Sequence, residues 1–287
     1  MRILMVFLDG VGIGVDDPEI NPFARAELPA FRASDATTVP LDATLGISGL
    51  PQSGTGQTAL LTGVNAAREF GRHFGPWVPT TLRAMLAEQN VMSRVQRAGC
   101  IAAFANAYPE EIFQTPDDRR LNAGPPIAAL GAKLLNRHTE ALMAGDAVSS
   151  EITNESWRKH LNRTQLPVIT PQDAGKNLAR IAAQHDFTLF AHYSTDYVGH
   201  RNNMEESVRA LETVDAFLTG LRAAIPDDLL VMCVSDHGNI EDVRAGHTTN
   251  PALGFFFGNN HSRAAKDLTV LTDVTPRALQ LLDINTP

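Results

Sequence analysis

The sequence predicts an α/β protein: an open, mostly parallel sheet covered by helices on both faces, making a three-layer sandwich. Two observations carry this expectation. Residues 3–8, 100–105, 187–191 and 229–234 form short, continuously apolar runs, with 254–257 a weaker fifth. A strand buried on both faces has no polar side to show, so unbroken runs of this length read as parallel strands rather than alternating antiparallel ones. Amphipathic segments alternate with the runs, as crossover helices over a parallel sheet must.

Taken in chain order, residues 3–8 stop at the turn Asp9-Gly10-Val11-Gly12-Ile13-Gly14. The small-residue stretch from Pro51 gives way to a helix-forming run that stops at Gly63, with Ser53 expected as N-cap. Residues 80–89 follow as an amphipathic helix. Residues 109–167 break the rhythm: they are richer in Asp, Asn, Arg and Pro and hold one helical segment near 127–143. They read as an insertion or small cap on a core made of 1–108 and 168–287. Residues 171–185 form a helix with Thr170 as N-cap and Pro171 at its first position. Residues 205–224 make a long helix, and 275–282 close the chain with Pro276 at the first helical position.

Bulk properties narrow the function. The net charge is −8 and no segment gives a continuous basic face, which argues against nucleic acid or an anionic membrane as partner. Cys100 and Cys233 sit apart in apolar runs, with neither disulfide nor zinc-ligand spacing. The first apolar run is too short for a signal core and ends in Asp-Gly, and no run reaches the length of a membrane span. A cytoplasmic protein acting on a small phosphorylated substrate is the expectation; the oligomeric state is left open.

Five motifs carry chemistry. Asp9 ends the first strand, where open sheets place their active sites. The spacing after it is GxGxG rather than GxGxxG, and no helix follows to receive a pyrophosphate, so a dinucleotide site ranks below a carboxylate site. Ser53 opens the second motif. The positive end of a helix suits a nucleophile that receives a phosphoryl group, with Thr55 as rival in the same segment. Asp196 and His200 stand four residues apart just beyond a core strand, so one helical turn aims both at one cation. His192, within that strand, reads as structural or as a support behind the ligands. Asp236-His237-Gly238 ends another apolar strand at a tight turn, and Gly246-His247-Thr248 lies ten residues beyond that pair.

In this order the motifs resemble the alkaline phosphatase superfamily of metalloenzymes, and within it the cofactor-independent phosphoglycerate mutase and phosphopentomutase branch. LDGVGIG, DYVGH and SDHGN are similar to that branch's ligand motifs, and SGTGQTALLTG resembles the nucleophile helix of alkaline phosphatases. The resemblance implies an alkaline-phosphatase-like core and places the attacking hydroxyl at Ser53 rather than Thr55. It implies that Asp196, His200 and His247 hold one metal, and that Asp9, Asp236, His237 and the Ser53 oxygen hold the other. Mixed oxygen and imidazole ligands suit two divalent ions, Mn²⁺ or Zn²⁺. The mutases carry a large Arg-rich domain that the 109–167 segment does not supply, and shielding a phosphoserine from water is harder under a small cap. The expected activity is therefore phosphohydrolysis of a small phosphate ester through a phosphoserine, with a phosphomutase as alternative and a metal-binding pseudoenzyme as a third reading. The sulfatase branch is disfavoured, since its CxPxR-type context is lacking. Arg68, Arg72 and His73 are candidate substrate contacts, with Lys133, Arg137 and His138 further candidates in the insertion.

Overall fold

The computed structural model of the chain describes residues 1–114 and 118–284. Its strands are β1 (Arg2–Leu8), β2 (Ala36–Leu41), β3 (Ala102–Phe104), β4 (Phe187–His192), β5 (Leu229–Val234) and β6 (Ala252–Gly258). They form one sheet in the order β2-β6-β5-β1-β4-β3. The four strands from β5 to β3 are parallel, while β6 and β2 extend one side in antiparallel fashion.

The apolar runs are unbroken because both faces are covered. Ile3, Met5 and Phe7 enter one core with Leu60, Leu86 and Ala128; Leu4, Val6 and Leu8 enter the other with Leu178, Leu211 and Phe217. Burying each such side chain is worth roughly 1.5–3 kcal/mol, so a one-residue slip of β1 would disturb both cores at once. That register positions the site. Leu8 pairs with His192 and Phe7 with Val234, so β1, β4 and β5 finish level with one another. Asp9, the 193–200 segment and Asp236 therefore emerge together at one edge, with the 235–251 loop crossing above them before β6 returns.

Several expectations need correction. β2 was not anticipated: Ala36–Leu41 shows exposed positions and contains Pro40, both tolerable on an edge strand. The 100–105 run contracts to Ala102–Phe104, since Ile101 is 61% exposed and Asn106 bridges to Val148 instead. The single helix near 127–143 is two, Gly124–Gly131 and Thr139–Ala144, separated where Lys133 takes φ +59°. The last helix is Val274–Leu281, entered directly from the Leu271–Asp273 turn, so Pro276 is its third residue. Thr170 caps the Pro171–Ala182 helix as expected, its hydroxyl accepting from Asp173 N at 3.1 Å.

The 109–167 segment divides. Ile127, Ala128 and Ala129 of the Gly124–Gly131 helix pack into the main core, against the helices Ser53–Thr62 and Thr80–Gln89. Ala107, Leu142, Ala147, Trp157 and Leu166 make a separate small core. Among the described residues no helix is long and apolar enough to cross a membrane.

Candidate metal centre

Asp9 leaves β1 into a turn that only glycine fits. Gly10 has φ +66°, and a Cβ on it would lie 2.5 Å from Asp196 Oδ1. The turn's amides are already used: Gly10 N donates to Asp236 Oδ1 (3.3 Å), Val11 N to Ser235 Oγ (2.8 Å) and Gly12 N to Glu241 Oε2 (2.9 Å). With these amides and that of Ile13, which donates to Pro251 O at 2.8 Å, bonded within the chain, the loop is not laid out as a cradle for a pyrophosphate.

Ser53 is the first residue of the Ser53–Thr62 helix and Gln52 its N-cap, one position earlier than expected; the helix stops at Gly63 with φ 78°. Ser53 is 4% exposed, and its Oγ lies 2.9 Å from His237 Nε2. Thr55 faces elsewhere: its hydroxyl donates to Gln52 O at 3.3 Å and accepts from Phe74 N at 3.2 Å, tying down the following loop. Of the two hydroxyls, Ser53 thus faces His237 and Thr55 faces the following loop.

The carboxylates and imidazoles assemble into two groups, Asp9 with Asp236 and His237, and Asp196 with His200 and His247; within each, the donor atoms lie within 4.8 Å of one another. His237 Nε2 is 3.4 Å from Asp9 Oδ1 and 3.6 Å from Asp236 Oδ2. Asp196 Oδ2 is 3.4 Å from His200 Nε2, and Asp196 Oδ1 is 3.5 Å from His247 Nε2 and 4.0 Å from His237 Nε2, so the groups adjoin across Asp196.

The hydrogen bonding fits cation ligation. Gln57 Nε2 donates to Asp9 Oδ2 at 3.1 Å, and Gly10 N holds Asp236 Oδ1. Their other oxygens, Asp9 Oδ1 and Asp236 Oδ2, are buried without a hydrogen-bond partner. A buried bare carboxylate oxygen is costly, and a cation is the partner that would satisfy both at once. His247 Nδ1 lies 2.8 Å from Pro51 O and His237 Nδ1 3.3 Å from Gly238 O, contacts that leave each Nε2 lone pair free for the centre. Without a cation the centre holds protons. Burial, then repulsion from Asp236, pushes Asp9 well above the usual carboxylate range, and burial raises Asp236 as well. Burial opposes the charged form of His237, yet Asp236, Asp9 and Asp196 together lift it to about 10. Burial likewise works against Asp196, but the His247 contact and the His237 charge hold it at about 2.

Three residues at the centre escaped the sequence reading. Gln57 lies one turn beyond Ser53 on the same helix face. Asn239 Nδ2 donates to Asp196 Oδ1 (2.6 Å) and to its carbonyl (3.1 Å). Glu241 is fully buried. For Asn239 and Glu241 the available signal was two polar residues flanking Ile240 directly after the Asp236-His237-Gly238 turn.

The substrate candidates separate. Gln52, Ser53, Asp196, His200 and His247 line a hollow of about 390 Å³. Arg72 and His73 line a second hollow of about 520 Å³ that shares Gln52 with the first. The Arg72 guanidinium sits 5.7 Å from the Phe70 ring and 6.0 Å from Phe74, while His73 Nε2 is 3.2 Å from Ile47 O. Arg68 is exposed on the Ala66–Phe70 helix and lines neither. Lys133, Arg137 and His138 also line neither. Arg137 donates to Phe104 O (3.0 Å) and Asp146 O (2.9 Å), and His138 Nδ1 is 2.9 Å from Tyr108 O, so these two brace the fold. His192 is structural as expected: Nδ1 meets Ser150 O at 2.8 Å, and burial lowers the imidazole to about 4.

Comparison with known proteins agrees with this architecture. Residues 167–286 match the family model described as the Metalloenzyme superfamily. Over 231 residues the chain is 25% identical to the 2,3-bisphosphoglycerate-independent phosphoglycerate mutase of Chloroflexus aggregans, covering 74% of this chain and 36% of that protein. The chain thus spans little more than a third of that relative's length. The fold is similar to that of the PH0037 protein from Pyrococcus horikoshii, with TM-score 0.62, 12% identity and coverage of 100% of this chain and 98% of that one. It is also similar to alkaline phosphatase from the Antarctic bacterium TAB5, with TM-score 0.56, 9% identity and coverage of 99% and 98%. At such identities the structural likeness establishes the fold: an alkaline-phosphatase-like α/β core.

Proposed function

We propose, from the match of residues 167–286 to the metalloenzyme superfamily, that Ser53 accepts a phosphoryl group from a small phosphate ester and returns it to another hydroxyl of the same molecule. The observation that carries this reading is the pair of buried, bare oxygens on Asp9 and Asp236 facing His237 Nε2, with Ser53 Oγ at 2.9 Å from that nitrogen. Asp9, Asp236 and His237 would hold one divalent cation beside Ser53, and Asp196, His200 and His247 the other, Mn²⁺ and Zn²⁺ being the ions the donor set suits. Bound there, the cations supply a lowered Ser53 pKa and neutralise charge on the transferring phosphoryl group. The Ser53 hydroxyl gives up its proton and Oγ bonds to phosphorus as the bond to the ester oxygen breaks on the opposite side. That oxygen leaves as a hydroxyl carrying a proton. A second hydroxyl of the same molecule then takes the phosphoryl group from phosphoserine, losing its proton as Ser53 recovers one. Gln57 and Asn239 keep Asp9 and Asp196 in orientation throughout. The hollow holding Arg72 and His73 would receive the substrate's far end.

The similarity to a phosphoglycerate mutase supports return of the phosphoryl group to substrate over its loss to water. One observation favours hydrolysis as the second reading: the His200 side chain is 51% exposed, so water reaches the rim of the centre. Incubating Mn²⁺- and Zn²⁺-loaded protein with phosphoglycerates, pentose phosphates and simple phosphomonoesters separates them. Isomerised ester without free phosphate supports the mutase; phosphate released in step with substrate loss supports the hydrolase. Bound metal with no turnover on any ester would leave the pseudoenzyme.

The pH dependence of metal binding has a definite sign. His237 is raised to about 10 without metal, so at neutral pH a cation must displace its proton to reach Nε2. Affinity should rise by about tenfold or more per pH unit between about pH 7 and 9, with at least one proton released, since Asp9 is raised as well. Calorimetric titration in buffers of different ionisation enthalpy reads that proton directly, and a pH-independent Kd would contradict the arrangement.

A further inference from the structure

We infer that Glu241 is a positioning residue of the metal centre, locking three of its ligand-bearing loops into one frame and adding a negative charge beside them. The inference rests on the proposed metal centre. Glu241 is fully buried, and both of its oxygens are saturated. Oε2 accepts from Gly12 N at 2.9 Å and from Asn239 N at 2.7 Å; Oε1 accepts from Thr248 Oγ1 at 2.5 Å and from Asn250 Nδ2 at 3.0 Å. Those donors come from three places: the turn after Asp9, the turn that follows Asp236 and His237, and the loop just beyond His247. A Cβ on Gly12 or on Gly238 would overlap the carboxylate, so two glycines make room for this one side chain.

Among the described residues no ion pair with a Lys, Arg or His reaches Glu241. A carboxylate buried with four neutral donors and no counter-cation is hard to explain as a stabilising cross-link alone, because an apolar contact would join the loops without the desolvation cost. Its charge gains a purpose if divalent cations sit next to it. With Asp9, Asp236 and Asp196 it makes four carboxylates, which matches the charge of two divalent ions. Because every oxygen is already taken by a donor, Glu241 acts on the cations through the loops and its field, not as a ligand.

Glu241→Gln tests this with little disturbance of the fold. The amide oxygen can accept from Gly12 N and Asn239 N, and the amide N–H₂ meets Thr248 and Asn250, both of which can turn to accept. Mn²⁺ binding to the full chain is measured by equilibrium dialysis, and metal-free melting by circular dichroism. Glu241→Gln should weaken Mn²⁺ binding roughly tenfold and Glu241→Ala up to about 100-fold, the range seen when outer-shell partners are removed. Metal-free Glu241→Gln should melt within about 3 °C of the parent. The inference is overturned if Glu241→Gln binds Mn²⁺ within about twofold of the parent, whether or not its metal-free melting falls. Asp236→Asn is the control. If it abolishes binding while Glu241→Gln does not, only the role of Glu241 is lost; a parent chain that takes up no Mn²⁺ sinks the metal centre as well.

Discussion

Ser53→Ala should lower turnover at least roughly a thousandfold, a loss of about 4 kcal/mol in transition-state stabilisation, while leaving metal uptake within a few-fold of the parent. The magnitude follows from the role: Oγ forms the bond to phosphorus, and alanine has no atom to replace it. Metal uptake persists because the carboxylates and imidazoles of both groups remain. Thr55→Val is the matched comparison. It removes the hydroxyl that accepts from Phe74 N, loosening the 70–76 loop, yet should keep turnover within about tenfold because that hydroxyl points away from the centre. Acid quenching after brief exposure to ³²P-labelled ester should trap label on the parent and on Thr55→Val, and none on Ser53→Ala. Label that survives in Ser53→Ala and disappears in Thr55→Val would transfer the nucleophile's role to Thr55.

Both the strength and the limits of the sequence reading have physical causes. β1, β4 and β5 were legible because strands buried on both faces lose nearly every polar residue, and the Asp and His residues just beyond their ends then stand out. Level strand ends turn three distant motifs into one site, so their order along the chain was enough to group them. β2 escaped because an edge strand keeps exposed positions, and a Pro there looks like a loop signal. Glu241 and Gln57 escaped for a different reason. A polar residue buried among donors cannot be told from a solvated one by its own identity. The partner that reveals Glu241 is Gly12, 229 positions away. Arg68, Lys133 and Arg137 carry the same ambiguity as substrate contacts, since a cation near a motif in sequence can point to solvent or brace a carbonyl, and none of the three lines the hollow beside Ser53.

Asp236→Asn should produce an inverted stability pattern: more stable than the parent without metal, and indifferent to metal where the parent gains. Asp236 is 0% exposed, burial raises its pKa, and Asp9 faces it across His237. An amide removes that desolvation and repulsion. With its oxygen kept toward Gly10 N, its N–H₂ can donate toward the bare Asp9 oxygen, while Asp9 and Asp196 remain to balance His237. Relief of one buried, unsatisfied carboxylate oxygen is worth about 1–3 kcal/mol. For a chain of this size that is an upward shift of roughly 3–8 °C in metal-free melting. The sign with pH is fixed by the raised pKa. Below the ordinary Asp range the carboxyl is protonated in both folded and unfolded chains and costs nothing; as pH rises through the raised value, the parent loses stability that the amide variant keeps. The advantage of Asp236→Asn should therefore widen as pH climbs above the ordinary Asp range. Metal reverses the ranking. At a Mn²⁺ concentration of about 100 times Kd the parent gains about 2.7 kcal/mol, and Asp236→Asn, lacking one ligand of the inner group, gains little. Melting curves with chelator and with Mn²⁺ should thus cross between the two proteins. If Asp236 serves the fold rather than a cation, the variant melts lower in both conditions and the curves never cross.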